Sequence, residues 1–168
     1  GGAGTDTVTA TIDTATVHQF GTFTNVEVLT LDYTAAGTFQ ANDVSAATIN
    51  LTVSDGAATA AVMNNIGTSK TVSLEHDDLN GVTLDYTADA TAVIQVEGGT
   101  AIDAGALTLT DAQTVTIQSA GGANHTLGAV TLDATDTDTV TVTTALAGSD
   151  LTTGALAADD AQTLTVTA

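Results

Sequence analysis

The chain of 168 residues has no cysteine, proline, tryptophan or arginine, and Lys70 is its only lysine. Without cysteine it can form neither disulfide bonds nor thiolate metal sites, and catalysis by a thiol is excluded. Without clusters of lysine and arginine it cannot neutralise a phosphate backbone, so we expect no nucleic-acid partner. No apolar run approaches the roughly 18 residues of a membrane span, so we expect the chain not to span a membrane.

Negative charge is what the sequence has in excess. It carries 20 acidic residues, all but Glu27, Glu75 and Glu97 being aspartate, and its net charge is −19. One lysine cannot neutralise this charge, so a folded domain needs cations from solution to limit its self-repulsion. Aspartate oxygens are ligands that calcium prefers. The composition therefore predicts Ca²⁺ as the partner ion, with acidic adaptation to high salt as the alternative.

The apolar residues predict an all-β protein. They make up 43% of the chain, only 3% of residues are aromatic, and threonine is abundant. Short segments alternate between apolar and polar residues and end at Gly, Asn, Asp or Ser, as in NVEVLTLDY, ATINLTV and TVTVTT, which is typical of strands. The best candidate for a short helix is the alanine-rich segment 57–64.

The second half of the chain repeats itself. Glycines begin similar segments at Gly81, Gly105, Gly128 and Gly154, and each segment holds a first strand, an acidic turn and a second strand. Such a period predicts a β-solenoid, namely a parallel β-helix with rungs of roughly 24 residues, over a single segment 1–168 that is most regular in 81–168. A β-sandwich is the alternative. In the solenoid, aliphatic ladders point inward and the intervening threonines outward; the ladder residues are Val115, Ile117, Val140, Val142, Leu164 and Val166.

The repeat places aspartates in one column. Asp89, Asp111, Asp136 and Asp160 each precede the second strand of their rung, and Asp138 lies close to the third of them. Equivalent positions on successive rungs lie about 4.8 Å apart, where ionised carboxylates repel each other. A calcium ion bridging two rungs would relieve this repulsion. The alternative is that these aspartates only form turns and face water.

The first nine residues, GGAGTDTVT, fit the calcium-binding nonapeptide G-G-x-G-x-D-x-U-x through Gly1, Gly2, Gly4 and Asp6. The glycines let backbone carbonyls converge on an ion, the aspartate supplies charge, and Val8 then points into the core. Here the chain resembles the RTX family of calcium-dependent bacterial proteins that leave Gram-negative cells by type I secretion. The family uses tandem nonapeptides, whereas this chain has one.

The phrases GGAGTDTVTA and FTNVEVLTLDY, together with the Thr, Ala, Val and Asp-rich composition, also resemble Gram-negative S-layer proteins. That resemblance implies an extracellular, cell-surface structural protein that self-assembles into a lattice with calcium, the chain being a segment of something longer. An RTX-type adhesin or biofilm-matrix fibre is the alternative, with cell-surface polysaccharide bound through flanking domains. Stacked Thr-x-Thr pairs resemble ice-binding solenoids, although unequal rung lengths argue against a regular ice-binding face.

The sequence contains few residue patterns that would indicate an enzyme. His18, His76 and His125 lie far apart and form no metal-binding spacing. His76 stands among Glu75, Asp77 and Asp78, which could make a small metal or acid–base cluster, but an exposed loop explains it better. A lone lysine is a poor basis for a polysaccharide lyase. We therefore expect no enzyme.

Overall fold

The computed structural model describes residues 3–22, 24–133, 139–143, 145–146, 149–158, 161 and 163–167. In this part the chain forms no helix and winds through about six coils of about 23 residues each. Consecutive coils are joined by parallel strand pairs, for example β1 (Thr7–Ile12) with β3 (Val28–Tyr33). The predicted β-solenoid is therefore confirmed, with rungs close to the expected length, and the antiparallel sandwich is wrong.

The strands follow the alternating segments of the sequence. In chain order they are β1 (Thr7–Ile12), β2 (Val17–His18), β3 (Val28–Tyr33), β4 (Gly37–Gln40), β5 (Thr48–Thr52), β6 (Thr59–Ile66), β7 (Lys70–Leu74), β8 (Leu79–Glu97), β9 (Asp103–Ala104), β10 (Leu107–Ala120), β11 (His125–Leu127), β12 (Val130–Asp133), β13 (Thr139–Thr143), β14 (Ala145–Leu146), β15 (Ser149–Thr153), β16 (Leu156–Ala158) and β17 (Thr163–Thr167).

Three surfaces enclose the core. The broad face consists of β1, β3, β5, β7, residues 91–97 of β8, residues 114–120 of β10, β13 and β17. The narrow face consists of β2, β4, β6, residues 79–86 of β8, residues 107–110 of β10, β12 and β16. In the later coils a small sheet of β9, β11, β15 and β14 forms a third side.

Residues alternate between the core and the outer surface along most strands of the broad face. On the broad face Val115, Ile117, Val140 and Val142 are buried, as predicted, and the threonines between them are partly exposed. Leu164 and Val166 continue the same register, because their backbones pair with Val140 and Val142. Each coil thus buries one stripe of aliphatic side chains between two faces, which is the main stabilising term of the fold.

A column of glycines explains the repeat found in the sequence. A Cβ atom on Gly105 would lie 2.8 Å from the backbone nitrogen of Gly81, and one on Gly128 would lie 2.9 Å from the carbonyl carbon of Gly105. Gly154 approaches Gly128 in the same way, at 3.0 Å. Consecutive coils therefore touch backbone to backbone at the entry to the narrow face, where no side chain fits.

The helix predicted for 57–64 is wrong. Residues 59–66 form strand β6, in which Ala61 and Met63 are buried and Ala60 is exposed. The strand pairs in parallel with β4 on one side and β8 on the other. Alanine favours a helix in isolation, but here the hydrogen bonds to both neighbouring coils outweigh that local preference.

Candidate functional site

Two of the predicted aspartate positions lie on consecutive coils. Asp111 is exposed at the corner between the narrow and broad faces, with a φ of 58°. The next residue, Ala112, pairs with Ala90, whereas Thr110 pairs with Asp85, so the register shifts at this corner and Asp111 stands opposite residues 86–89. Asp136, Asp138 and Asp160 fall outside the described residues. The column of aspartates stays a prediction.

One more carboxylate lies close to this corner. Asp85 is at the end of the narrow-face part of β8, and its Oδ1 atom accepts a hydrogen bond from the Thr110 hydroxyl on the next coil at 2.8 Å. The backbone of Asp133 pairs with Thr110 from the coil beyond. Asp85, Thr110 and Asp133 therefore follow one another on three consecutive coils along this edge. The coil of Thr110 lies between the two aspartate positions.

The nonapeptide enters the first strand as expected, although Gly1 and Gly2 lie outside the described residues. Gly4 has a φ of 135°, a conformation that favours glycine, and open space surrounds it. Asp6 immediately precedes β1, and Val8 packs against the core. The Asp6 amide donates a hydrogen bond to Glu27 Oε2 at 2.8 Å, while the Asp6 carbonyl accepts one from the Glu27 amide at 3.1 Å.

Glu27 was not among the predicted site residues. It stands on the next coil directly beside Asp6, so the N-terminal turn contains two stacked acids rather than one. The sequence carries a weak signal for this, because both acids lie one residue before the outer-facing residue that begins a broad-face strand. That signal is recognisable only once the register of Thr7 with Val28 is known.

A second pair of stacked acids lies at the other edge of the broad face. Leu74 pairs with Val96, so the following residues, Glu75 and Glu97, are neighbours on consecutive coils. Burial raises the pKa of Glu75, and the negative charge of Glu97 raises it further. The Ser73 hydroxyl donates a hydrogen bond to Glu97 Oε2 at 3.2 Å. Glu75 is thus a partly buried carboxylate that lies beside a second carboxylate on the next coil.

The acidic loop around His76 forms a third cluster. The Asp103 amide of the next coil donates a hydrogen bond to Asp77 Oδ1 at 3.0 Å. His76 Nδ1 accepts the Asp78 amide at 3.2 Å and lies 3.5 Å from Asp78 Oδ2. The hydrogen bond from the Asp78 amide closes the turn around His76. In the described ranges no three His, Asp or Glu side chains are grouped as metal ligands.

The single lysine does not neutralise these carboxylates. The Lys70 ammonium donates hydrogen bonds to the carbonyl oxygens of Val44 at 2.9 Å and Ala46 at 2.5 Å. Partial burial lowers its pKa. The positive charge of the side chain is thus used to hold the corner of residues 41–47 against β7, and the excess negative charge is left to ions from solution.

His125 is the polar residue whose placement the sequence analysis missed. It is 2% exposed, its Nδ1 atom accepts the Ile102 amide at 3.1 Å, and its Nε2 atom lies 2.7 Å from the Ala120 carbonyl. The buried hydroxyls of Ser119 and Ser149 hydrogen-bond to each other beside it, and Ser149 also donates to the Ala123 carbonyl at 2.6 Å. This network connects loop carbonyls to the core, and all of its polar groups are paired.

No family model, curated protein or solved structure matches this chain. Within the described residues no ligand-sized pocket is present, and no helix is long and apolar enough to cross a membrane. The candidate functional features are therefore the stacked carboxylates at the corners and edges of the coils.

Proposed function

We propose that this chain is part of an extracellular structural protein, a calcium-binding β-solenoid that self-assembles into a lattice of the S-layer kind. The observation that carries the proposal is the stacking of acids on consecutive coils, at Asp6 with Glu27 and at Glu75 with Glu97, while the lone ammonium is bound to backbone carbonyls. The fold supplies repeated carboxylates and no side-chain counter-charge for them.

Stacking makes a cation favourable at these positions. Two carboxylates about 4.8 Å apart repel each other by about 1 kcal/mol even in bulk water, and by several times more where they are partly buried. Calcium takes six to eight oxygen ligands, which carboxylates and turn carbonyls together provide. An ion that bridges two coils relieves the repulsion and connects the coils at the same time. Calcium bound at several corners would thus stiffen the whole solenoid.

The resemblance of the nonapeptide to RTX repeats, and of the chain to S-layer proteins, supports calcium over other cations. It also supports the proposal of a location at a Gram-negative cell surface after type I secretion. An RTX-type adhesin or biofilm-matrix fibre is the second candidate. It uses the same scaffold, with cell-surface polysaccharide bound by flanking domains, and a sugar-binding domain beside this segment in the full gene would favour it.

The proposal is tested by thermal unfolding, followed by circular dichroism, with 5 mM EGTA, with Ca²⁺ and with Mg²⁺ at constant ionic strength. We expect Ca²⁺ to raise the Tm more than Mg²⁺ does, since a ligand at 100 times its Kd stabilises by about 2.7 kcal/mol. Electron microscopy of the same samples should show ordered sheets or filaments only with Ca²⁺. Equal β-signal, Tm and assembly with EGTA and with Ca²⁺ would contradict the proposal.

A matched pair of variants separates bound calcium from general charge screening. Glu27→Gln removes one carboxylate from the stack with Asp6, whereas Asp13→Asn removes one from an exposed position after β1, where Thr34 follows on the next coil. Both reduce the net charge equally. We expect Glu27→Gln to reduce the rise in Tm caused by Ca²⁺ and Asp13→Asn to leave it unchanged. Equal effects of the two would mean that calcium acts only as a diffuse counter-ion.

A further inference from the structure

The outer surface of the broad face is free of charge in its centre. Its two central columns run across all eight strand segments without a shift in register. The first column is Thr7, Val28, Thr48, Thr71, Val93, Thr116, Thr141 and Thr165. The second column is Thr9, Thr30, Asn50, Ser73, Gln95, Gln118, Thr143 and Thr167, of which Ser73 is buried.

These sixteen positions contain no acid, although the chain has 20 acids in 168 residues. On the narrow face the column through Thr110 contains Asp85 and Asp133, whereas on the broad face Asp32, Glu75 and Glu97 lie outside the two central columns. The unequal lengths of the coils do not disturb the broad face either. Register shifts occur instead at the corner around Ala112 and along β6, between Thr59 and Ala61 and between Met63 and Ile66. The result is a continuous uncharged strip along the centre of the broad face of a strongly acidic molecule.

We propose that the broad face is the surface through which two copies of this chain associate. Molecules of charge −19 repel each other wherever acidic surfaces meet. An uncharged face is where contact costs least. The two columns with their flanking positions cover roughly 34 Å by 17 Å, on the order of 600 Å² per copy, against about 800 Å² in a standard interface. That size fits a weak, salt-dependent contact of the kind a lattice repeats.

The charges at the margins of the face determine the orientation of the two copies. One margin carries Asp32, Glu75 and Glu97, and the opposite margin carries Thr91, Thr114, Thr139 and Thr163. A two-fold axis along the strands would place acids opposite acids. A two-fold axis parallel to the solenoid axis places the acidic margin over the threonine margin of the partner copy. In the second arrangement Thr91 faces Glu97 of the other copy, because both lie on the same coil.

This inference rests on the self-assembly in the proposed function but not on calcium, so its test is made without calcium. Sedimentation velocity is measured in EGTA at 0.1 M and 1 M NaCl, where the Debye length falls from about 10 Å to about 3 Å. We expect the apparent mass of the sedimenting wild-type protein to rise from 16.5 kDa, the mass of one chain, toward twice that value as the salt concentration increases. A chain that remains monomeric at high concentration in 1 M NaCl would overturn the inference.

Variants on one strand identify the surface. Thr116→Asp on the broad face should weaken association at least tenfold, because it buries an unpaired carboxylate against the other copy. Thr116→Asn has the same shape without the charge and should largely restore association. Thr108→Asp lies on the same strand β10 but on the narrow face, and should associate like the wild type. Equal losses from Thr108→Asp and Thr116→Asp would overturn the assignment.

A substitution that strengthens the association of the two copies tests their relative orientation. Thr91→Lys should strengthen association about fivefold at 0.1 M NaCl, through two new pairs with Glu97, and the gain should disappear in Thr91→Lys with Glu97→Gln. Weaker association of Thr91→Lys would show that the threonine margins meet each other, and would overturn the proposed axis. If association follows these variants in EGTA while Ca²⁺ leaves the Tm unchanged, the face is supported and the calcium proposal alone fails.

Discussion

The early and the late coils of the β-solenoid differ in their number of sides and in the side chains that form their cores. The coils up to β8 have two faces, and large side chains such as Tyr33, Phe39 and Met63 fill the space between them. The later coils add the small sheet as a third side, and their core contains smaller aliphatic residues together with the buried His125. The broad face is nevertheless continuous across both regions. The parallel register therefore constrains the fold more strongly than the composition of the core does.

The largest effect is expected from the aromatic packing of the early coils. Phe39 is fully buried, with its ring centroid 5.3 Å from that of Phe20. Phe39→Ala should lower the free energy of unfolding by about 3–5 kcal/mol, because it leaves a cavity that the flanking coils cannot close. Urea denaturation measures this loss. A change below 1 kcal/mol would show that the early core is loosely packed.

Trypsin cleavage can report which coils lose stability in such a variant. Lys70 is the only residue after which trypsin can cleave, and it lies in β7 with its ammonium hydrogen-bonded to two carbonyls. Because coils contact mainly their neighbours, stability is local in a solenoid. Phe39→Ala should accelerate cleavage far more than an equally destabilising change in the late coils. Equal acceleration would mean that the solenoid unfolds as one cooperative unit.

The stability of the late coils is expected to depend on the buried imidazole of His125. His125→Leu preserves the side-chain volume but leaves the buried Ile102 amide without its acceptor, which should cost about 1–3 kcal/mol. His18 in the first coil is only half-buried and hydrogen-bonds to the nearby Thr14 carbonyl. His18→Leu should therefore cost less than half as much in the same urea assay. Equal costs would contradict a structural role for the buried imidazole.

The lysine is expected to have a smaller effect in the early coils. Lys70→Met keeps the aliphatic stem but removes the hydrogen bonds to Val44 and Ala46, which should cost about 1–2 kcal/mol, less than a fully buried charged pair. Thermal unfolding measures the change, and amide hydrogen exchange should show it concentrated in residues 41–47. A uniform loss of protection over all coils would contradict this local role.

The smallest effects on stability are expected from removing the hydroxyls of two buried tyrosines. The Tyr33 hydroxyl donates to the Val62 carbonyl at 3.0 Å, whereas the buried Tyr86 hydroxyl has no partner among the described residues. Tyr33→Phe should cost about 1 kcal/mol, and Tyr86→Phe should be neutral or stabilising. A loss on Tyr86→Phe matching that on Tyr33→Phe would show that its hydroxyl is hydrogen-bonded after all.

Much of this fold was predictable because the late coils repeat in sequence. The glycines from Gly81 to Gly154 and the alternating residues around Val115 and Val140 determine the coil, and the structure confirms both. The early coils do not repeat closely, so the register that brings Glu27 beside Asp6, or Glu97 beside Glu75, could not be read from spacing. Segment 57–64 was misjudged because local propensity contains no information about pairing with other coils. His125 was missed because its acceptor role depends on the Ile102 amide, 23 residues earlier in the chain.

Equilibrium dialysis with ⁴⁵Ca²⁺ in 150 mM NaCl and excess Mg²⁺ measures whether the stacked carboxylates bind calcium. We expect saturable binding of at least one Ca²⁺ per chain, which Glu27→Gln or Glu75→Gln reduces and Asp13→Asn does not. Binding that is absent, that Mg²⁺ displaces completely, or that all three variants reduce equally would contradict it, because a diffuse ion atmosphere around an acidic surface does not distinguish among these carboxylates.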